Sequence, residues 1–391
     1  MRKIIAALAS CSILLTCSQR PAADIAPHIE ILAWHAMPED QHTVERYQEL
    51  KDAGFTLSFS FCYGFSHIVD ALESAEKAGV GVIATCNDLA TDPESAVARL
   101  KGYPALRGYF LRDEPVCSLF PDLSAWADKI RKADPDHFIY LNMLPYGVNE
   151  ADLGDTYENY VRRFIEEIGP GVVSFDNYPI SYGGVNPTWY HNMEIMRRES
   201  EAAGLPMWGF LLCSAHDSYP YPQKRFLRAQ AYTNLAYGAQ GLEYFTYWSP
   251  GERYSKAPID SDALRSFTYE EVREMNMEIH AREFVFAGSS VEGVWHTGET
   301  VPEGTVRLDT MPSGIKSLDT HGQGAFLSVL RNGDSRYAVV VNRSIDDYLG
   351  VDIEFDNPDA GFIRKDGSLQ PCSLYQSYWR AEPGSALIFK L

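Results

Sequence analysis

The chain has 391 residues, of which 45% are hydrophobic and 22% are charged. This composition is typical of a globular protein, and the length allows one large domain and a small one. The formal net charge is −19, and the sequence has no basic patch to neutralise phosphates, so we expect no nucleic-acid partner.

The N-terminus has the features of a secretory signal. Arg2 and Lys3 precede an apolar run over residues 4–15, which is too short to span a bilayer. The run ends in Leu14-Leu15-Thr16-Cys17, which resembles a bacterial lipobox. We therefore predict that residues 1–17 form a lipoprotein signal peptide with Cys17 as the lipidated residue.

The resemblance to a lipobox implies a protein of the bacterial cell envelope, held at the outer membrane only by its lipid. Residues 18–27 then form a tether. Two alternatives remain open. Leu8-Ala9-Ser10-Cys11 is a second lipobox-like sequence, although it leaves only a short apolar run, and the protein could be secreted without a lipid.

Eight short apolar runs alternate with amphipathic stretches between residues 28 and 288. Glycine or proline follows the amphipathic stretches, as is common where helices end. Strands that alternate with helices predict a parallel sheet, and eight such units predict a (β/α)8 TIM barrel. The predicted strands cover 29–37, 55–63, 79–86, 106–114, 137–144, 172–179, 206–213 and 239–248.

The stretches between these runs predict the outer helices of the barrel. A doubly wound open sheet is the alternative fold, but no G-x-G-x-x-G motif follows the first strand. The predicted helices cover 41–53, 66–78, 121–133, 156–168, 188–203, 224–237 and 268–286.

The pattern changes over residues 289–391. Short runs with β-type alternation are separated by Asn-Gly, Asn-Pro, Asp-Gly and Pro-Gly turns, which predicts a small all-β, sandwich-like domain. The predicted strands cover 324–331, 337–343, 350–355 and 386–391.

The fourth run ends in two adjacent acids, Asp113 and Glu114, followed by Pro115. Proline stops a strand because it has no N–H to donate. Barrel enzymes carry their chemistry at the C-terminal ends of the strands. Glu114 is therefore the best candidate for an acid that protonates a leaving oxygen, although a solvated turn would have the same residues.

Polar and aromatic residues follow most of the other strands. At the mouth of a barrel these residues would form a cup of carboxylates and aromatic rings. Such a cup suits a sugar, whose C–H faces pack on rings while its hydroxyl groups bond to carboxylates and amides. We predict a carbohydrate substrate and no cofactor or metal. The expected substrate-binding residues are Trp34, His35, Tyr63, Asn142, Asn177, Tyr178, His216, Glu243, Tyr247 and Trp248.

Two motifs resemble the clan A glycoside hydrolases, including the β-galactosidase-like family 42. The segment 109–115, Tyr-Phe-Leu-Arg-Asp-Glu-Pro, is similar to the strand-four segment of that clan, and Thr246-Tyr247-Trp248 is similar to its strand-eight tryptophan. The likeness implies that Glu114 is the acid/base. With the lipobox and the small β domain, the chain also resembles glycan-utilisation lipoproteins of gut bacteria.

The chain departs from this resemblance at two positions. Position 113 is Asp where the clan has Asn, and strand seven, residues 207–214, has no Glu for the nucleophile. We expect Asp176 to be the partner carboxylate, facing one pocket with Glu114. Asp113 is the second candidate, because an adjacent Asp-Glu pair resembles the substrate-assisted hexosaminidases, in which Asp orients a 2-acetamido group. Glu243 is the third.

The missing strand-seven acid also favours a different class of protein. A barrel without its nucleophile predicts a sugar-binding lipoprotein that does not hydrolyse its ligand. A metal-dependent hydrolase that uses His35, His216 and Asp217 is a further alternative, although those residues lack the other ligands of a convincing site.

Overall fold

A computed structural model describes residues 27–372 and 377–391, so the signal peptide, Cys17 and nearly all of the tether lie outside the described residues. Eight parallel strands close into a barrel in the order of the sequence. This confirms the predicted fold class. The strands are β1 (Glu30–Trp34), β2 (Leu57–Phe59), β3 (Gly81–Ala84), β4 (Leu106–Asp113), β5 (Phe138–Met143), β6 (Val173–Phe175), β7 (Met207–Leu212) and β8 (Gly241–Phe245).

Helices surround the barrel. Two of them, α3 (Asn87–Thr91) and α4 (Pro93–Leu100), lie between β3 and β4, where the sequence pattern predicted none, because Asp92-Pro93 divides the segment into two short helices. The helices are α1 (Val44–Asp52), α2 (Phe65–Ala78), α3 (Asn87–Thr91), α4 (Pro93–Leu100), α5 (Phe120–Ala133), α6 (Glu150–Leu153), α7 (Tyr157–Arg163), α8 (Thr188–Ala203), α9 (Lys224–Ala236) and α10 (Phe267–Phe286).

The barrel has two separate apolar layers because side chains alternate along each strand. One set packs outward against the helices. The other set fills the barrel interior and is rich in aromatic rings. Trp34, Phe59 and Phe210 are central to this interior layer, with Trp34 ring centroids 4.4 Å from Phe59 and 5.2 Å from Phe210. The interior layer forms the floor beneath the C-terminal mouth of the barrel.

Two antiparallel sheets form the C-terminal all-β unit. The larger has the order β9-β11-β12-β17-β14-β15 and the smaller β10-β13-β16. An apolar layer fills the space between them. The strands are β9 (Ser290–His296), β10 (Ile315–Asp319), β11 (Ala325–Asn332), β12 (Ser335–Asn342), β13 (Leu349–Phe355), β14 (Gly361–Ile363), β15 (Leu369–Pro371), β16 (Tyr378–Ala381) and β17 (Ala386–Lys390).

The other face of the larger sheet packs on the barrel helices. Ser328 donates from Oγ to the Ala236 carbonyl at the end of α9 over 2.7 Å, and Phe326 and Leu330 belong to the same apolar layer as the helices. In the described part of the chain, no helix is long and apolar enough to cross a membrane. The described cysteines are Cys62, Cys86, Cys117, Cys213 and Cys372, and all five are free thiols.

Candidate active site

Strand β4 carries the two acids into the mouth of the barrel. Its pairing with β5 shifts register between Phe110 and Asp113, and Asp113 then lies opposite Asn142. Glu114 follows with a φ of 47°, and its backbone N–H donates to the Asn142 carbonyl over 2.9 Å. A positive φ is strained for a side chain like that of glutamate. The strain turns the chain sharply at this point and leaves both acids open to solvent in the cup.

Asn142 holds the first acid. Its Nδ2 donates to Asp113 Oδ1 over 3.1 Å, while the rest of the Asn142 side chain is buried. Protein surrounds the Asp113 carboxyl on its inner side, and this burial raises its pKa to about 6; the nearby charge of Glu114 adds to the rise, and the hydrogen bond from Asn142 opposes it. Asp113 therefore changes charge near neutral pH.

Asp176 lies beside Glu114. It follows β6, its N–H donates to the Met143 carbonyl over 3.3 Å, and its carboxyl group lies beside that of Glu114. Burial raises the pKa of Asp176 well above its usual range, and the charges of Glu114 and Asp113 raise it further. Two carboxylates side by side repel one another when both are ionised, so the closeness of Glu114 favours the protonated form of the more enclosed Asp176.

A buried polar chain continues from Asn142 into the barrel. Ser174 Oγ lies 3.1 Å from Asn142 Oδ1 and 2.8 Å from Glu243 Oε2, and the Tyr140 hydroxyl donates to Glu243 Oε1. Glu243 has no exposed surface, and this burial raises its pKa to about 8. The expectations that Glu243 contacts substrate or serves as the third catalytic carboxylate are therefore wrong, because its side chain lies below the floor of the cup.

Aromatic rings form one wall of the cup. Tyr178, Phe245 and Tyr219 lie together, with the Tyr178 centroid 5.7 Å from Phe245 and 5.9 Å from Tyr219. His216 packs 4.8 Å from Tyr219 and 4.8 Å from Tyr254, and burial lowers its pKa. Burial also raises the pKa of Tyr178, with the acids Asp176 and Asp113 as further causes. Tyr178 thus faces the carboxylates with a neutral hydroxyl.

A groove leaves the cup on the side of β2, β3 and β4. A cavity of about 510 Å³ begins at Asp113 and is walled by Phe61, Tyr63 and Trp126. It continues past Arg112 into a second cavity of about 340 Å³. Tyr63 is 64% exposed. Sugar-binding sites favour such exposed rings because a ring offers a broad apolar face at low entropic cost.

Three predicted substrate contacts are buried and are not exposed in the cup. Trp34 is 3% exposed in the barrel floor, Tyr247 is 1% exposed, and Trp248 is 3% exposed. Tyr247 packs outward, 5.2 Å from Phe55, and the Arg46 guanidinium lies over the Trp248 ring at 5.1 Å. These three predictions are wrong in this structure, because the rings are packed within the apolar layers. Phe245, two residues after Glu243, faces the cup instead.

Two other predicted residues have structural partners. Asn177 donates from Nδ2 to Asn192 Oδ1 on α8 over 2.8 Å, which anchors the loop after β6. His35 has a φ of 51°, and its carbonyl accepts from the Trp248 N–H over 3.1 Å. Burial lowers the pKa of its imidazole, so the ring is neutral at pH 7.

The residues of the metal hypothesis do not converge. Asp217 pairs with Arg253, and over residues 27–372 and 377–391 no group of three or more His, Cys, Asp or Glu side chains could hold a metal ion. The described part of the chain gives this hypothesis no support.

Several residues of the site were missed from the sequence, namely Tyr140, Ser174, Phe245, Phe61 and Trp126. A signal was available for the first three. Side chains two apart on a strand share a face, so Tyr140 shares a face with Asn142, Ser174 with Asp176, and Phe245 with Glu243. Phe61 and Trp126 reach the groove from a loop and a helix, for which no such rule applies.

No family model and no curated protein matches the sequence. Solved structures with a similar arrangement include a β-galactosidase from Marinomonas ef1, with 11% identity and a TM-score of 0.48 over 65% of this chain. A β-galactosidase from Halorubrum lacusprofundi has 13% identity and a TM-score of 0.47 over 67% of this chain and 59% of its own. An endo-β-1,4-mannanase from Thermotoga petrophila has 13% identity and a TM-score of 0.45 over 91% of this chain and 97% of its own.

The alignment spans only 60% of the Marinomonas chain.

Proposed function

We propose that the protein is a glycoside hydrolase with Glu114 as its general acid/base. The observation that carries the proposal is that the carboxyl groups of Glu114 and Asp176 lie side by side, next to Asp113. Glycoside cleavage needs one carboxylic acid that keeps its proton at neutral pH and one further acid that is available as a carboxylate. Both kinds of group meet in this cup.

The roles within the pair follow from their exposure. Glu114 is open to solvent and meets the leaving oxygen, whereas Asp176 is more enclosed and, because its pKa is raised, holds a proton more tightly. Two carboxyl groups that lie side by side are closer than the roughly 5–5.5 Å of a retaining pair or the roughly 6.5–9.5 Å of an inverting pair. We therefore infer that Asp176 supplies Glu114 with its proton and does not attack the sugar.

Asp113 is then the second catalytic group. It is held by Asn142 next to the acid, and Tyr178 lies near both carboxylates. This set supports the substrate-assisted route, in which a carboxylate orients a 2-acetamido group that attacks the anomeric carbon. The groove past Tyr63 and Trp126 accommodates the remaining sugars of the chain.

The test is a panel of 4-nitrophenyl glycosides in matched pairs, each with a 2-acetamido or a 2-hydroxy substituent. We expect nitrophenol release, with kcat/KM larger for the 2-acetamido member. Equal hydrolysis of both members would support the glycosidase but contradict the substrate-assisted route. No release from any glycoside or oligosaccharide tested would remove the hydrolase.

A non-hydrolytic sugar-binding protein is the second candidate. Strand β7 (Met207–Leu212) carries no carboxylate, although it ends at the cup. Calorimetry with oligosaccharides separates the two functions, because a binding protein gives heat of binding without any new reducing end. The Asp113→Asn variant should still bind in that case.

We also propose that the chain is a lipoprotein of the bacterial outer membrane, anchored through Cys17. The support is the sequence of residues 1–17 alone. Incorporation of labelled palmitate that is lost in Cys17→Ser and kept in Cys11→Ser would support this anchor. Labelling that instead depends on Cys11 would show that Cys11 carries the lipid.

A further inference from the structure

The polar chain below the cup contains more oxygen–oxygen contacts than its hydroxyl protons can serve. Asn142 Oδ1, Ser174 Oγ, the Glu243 carboxyl group and the Tyr140 hydroxyl form three successive contacts. Each contact between two oxygens needs one proton to be attractive. Ser174 and Tyr140 supply one proton each, so one more is needed.

Two arrangements provide the third proton. In the first, Glu243 is protonated and donates to Ser174, Ser174 donates to Asn142 Oδ1, and Asn142 Nδ2 donates to an ionised Asp113. In the second, Glu243 is ionised, the Asn142 amide is turned by 180°, and Asp113 must be protonated to face the amide oxygen. The contact between Tyr140 and Ser174 is 3.3 Å, which is long for an O–H···O bond, and it does not change this count.

We propose that Glu243 is a positioning residue that holds a proton on behalf of Asp113. With that proton on Glu243, the chain through Ser174 fixes the Asn142 amide so that it donates to Asp113, which stays ionised and oriented toward the substrate. When Glu243 loses the proton, Ser174 turns toward Glu243 and Asn142 Oδ1 has no donor. The amide then turns or loosens, and Asp113 loses its orienting hydrogen bond.

The surroundings of Glu243 agree with this assignment. It is fully buried, and the groups that affect its charge are Tyr140, Ser174 and Asp113, with Tyr178 also within electrostatic reach. Tyr140 and Tyr178 are neutral at pH 7, because burial raises the pKa of each. The negative charge of Asp113 therefore favours a neutral Glu243, whose pKa is raised to about 8.

Infrared difference spectroscopy tests the proton without any activity. We expect wild type at pH 6 to show the carbonyl band of a buried carboxylic acid that is missing in Glu243→Gln and that fades as the pH rises through about 8. Glu76→Gln, which changes an exposed residue of α2, is the matched control and should keep the band. No Glu243-dependent band at pH 6 would overturn the proposal.

The pH profile tests the link to Asp113, and this part rests on the proposed hydrolase function. We expect the activity of wild type to fall as the pH rises through about 8, where Glu243 loses its proton. In Glu243→Gln the amide of residue 243 donates to Ser174 at every pH, so this fall should disappear. At pH 6 the kcat of the variant should differ from that of wild type by no more than about threefold. Ser174→Ala should lower kcat at all pH values. A Glu243→Gln enzyme that keeps the wild-type fall near pH 8, or that loses activity at every pH while folded, would contradict the link.

The two readouts separate the two proposals. If no nitrophenyl glycoside is hydrolysed but the infrared band behaves as described, the hydrolase is wrong and the protonated Glu243 stands. If hydrolysis is present but the band is absent, the hydrolase stands and the protonated Glu243 is wrong.

Discussion

The Asp176 carboxyl group lies beside the carboxyl group of Glu114 at the mouth of the barrel. The contact joins a residue at the end of β4 to one at the end of β6, two strands that are separated by β5 in the barrel. Its consequence is that the charge of Glu114 raises the pKa of Asp176, which favours a protonated acid next to Glu114.

Asp176→Asn should stabilise the protein at neutral pH. Because the pKa of Asp176 is raised in the folded state, the folded protein binds a proton that the unfolded chain has already lost, and stability falls as the pH rises from about 4 toward the folded pKa. The variant removes this loss, which amounts to at most about 1.4 kcal/mol per pH unit. Thermal unfolding at pH 4, 6 and 8 measures it.

The matched control is Asp334→Asn, in the exposed turn between β11 and β12. We expect its melting temperature to follow wild type at each pH. The quantity to compare is the stability gain of Asp176→Asn over wild type at the two pH values. A gain that is no larger at pH 8 than at pH 4 would show that Asp176 is ionised in the folded state.

Tyr63→Ala should weaken binding of oligosaccharides without changing the chemical step. Tyr63 is 64% exposed on the wall of the groove, so its ring contributes contact area and no proton transfer. We expect KM for a tri- or tetrasaccharide to rise about two- to tenfold with kcat nearly unchanged. An equal effect on a nitrophenyl monosaccharide would place the ring next to the reacting sugar instead.

Trp248→Ala should lower the stability of the protein and should not act mainly on sugar binding. Its ring is buried in the core beneath Arg46, so truncation leaves a cavity and should lower the free energy of unfolding by about 3–5 kcal/mol. Urea unfolding measures this change. A stable Trp248→Ala protein with a strongly raised KM would restore the tryptophan as a sugar platform.

Chelation should leave the activity intact. The carboxylate of Asp217 is paired with Arg253, and the proposed chemistry uses only Glu114, Asp176 and Asp113. We expect equal rates before and after dialysis against EDTA. A loss that zinc, magnesium or calcium reverses would favour the metal-dependent alternative.

The barrel could be predicted from the sequence because its signals are local. Glycine after a helix and proline after a strand are backbone requirements that depend on few neighbours, as at Gly79 and Gly204, which end α2 and α8 in the left-handed conformation. Helices α3 and α4 were missed because each is too short for a clear periodicity. Strands such as β14 (Gly361–Ile363) were missed because three residues give no alternation to count and no helical pattern follows them, unlike the equally short barrel strands β2 and β6.

The site could be predicted only in part. Glu114, Asp113 and Asp176 were located because strand ends in a barrel converge at one mouth. The direction of Tyr247 and Trp248 could not be predicted, because the chain leaves the period-two register after Phe245. The sequence also does not show which of two touching acids holds the proton, since that depends on how deeply each is enclosed.

Glu114→Gln tests the central claim most directly when two leaving groups are compared. A general acid is needed for a poor leaving group and hardly needed for a good one. We therefore expect the variant to lower kcat by about 10²–10⁴-fold on an alkyl glycoside or disaccharide and far less on the corresponding 2,4-dinitrophenyl glycoside. Glu76→Gln should match wild type on both.

The decisive quantity is the ratio of these two losses. A much larger loss on the poor leaving group is the result that we predict for an acid at position 114. An equal loss on both substrates, in a folded Glu114→Gln protein that still binds the sugar, would contradict that role.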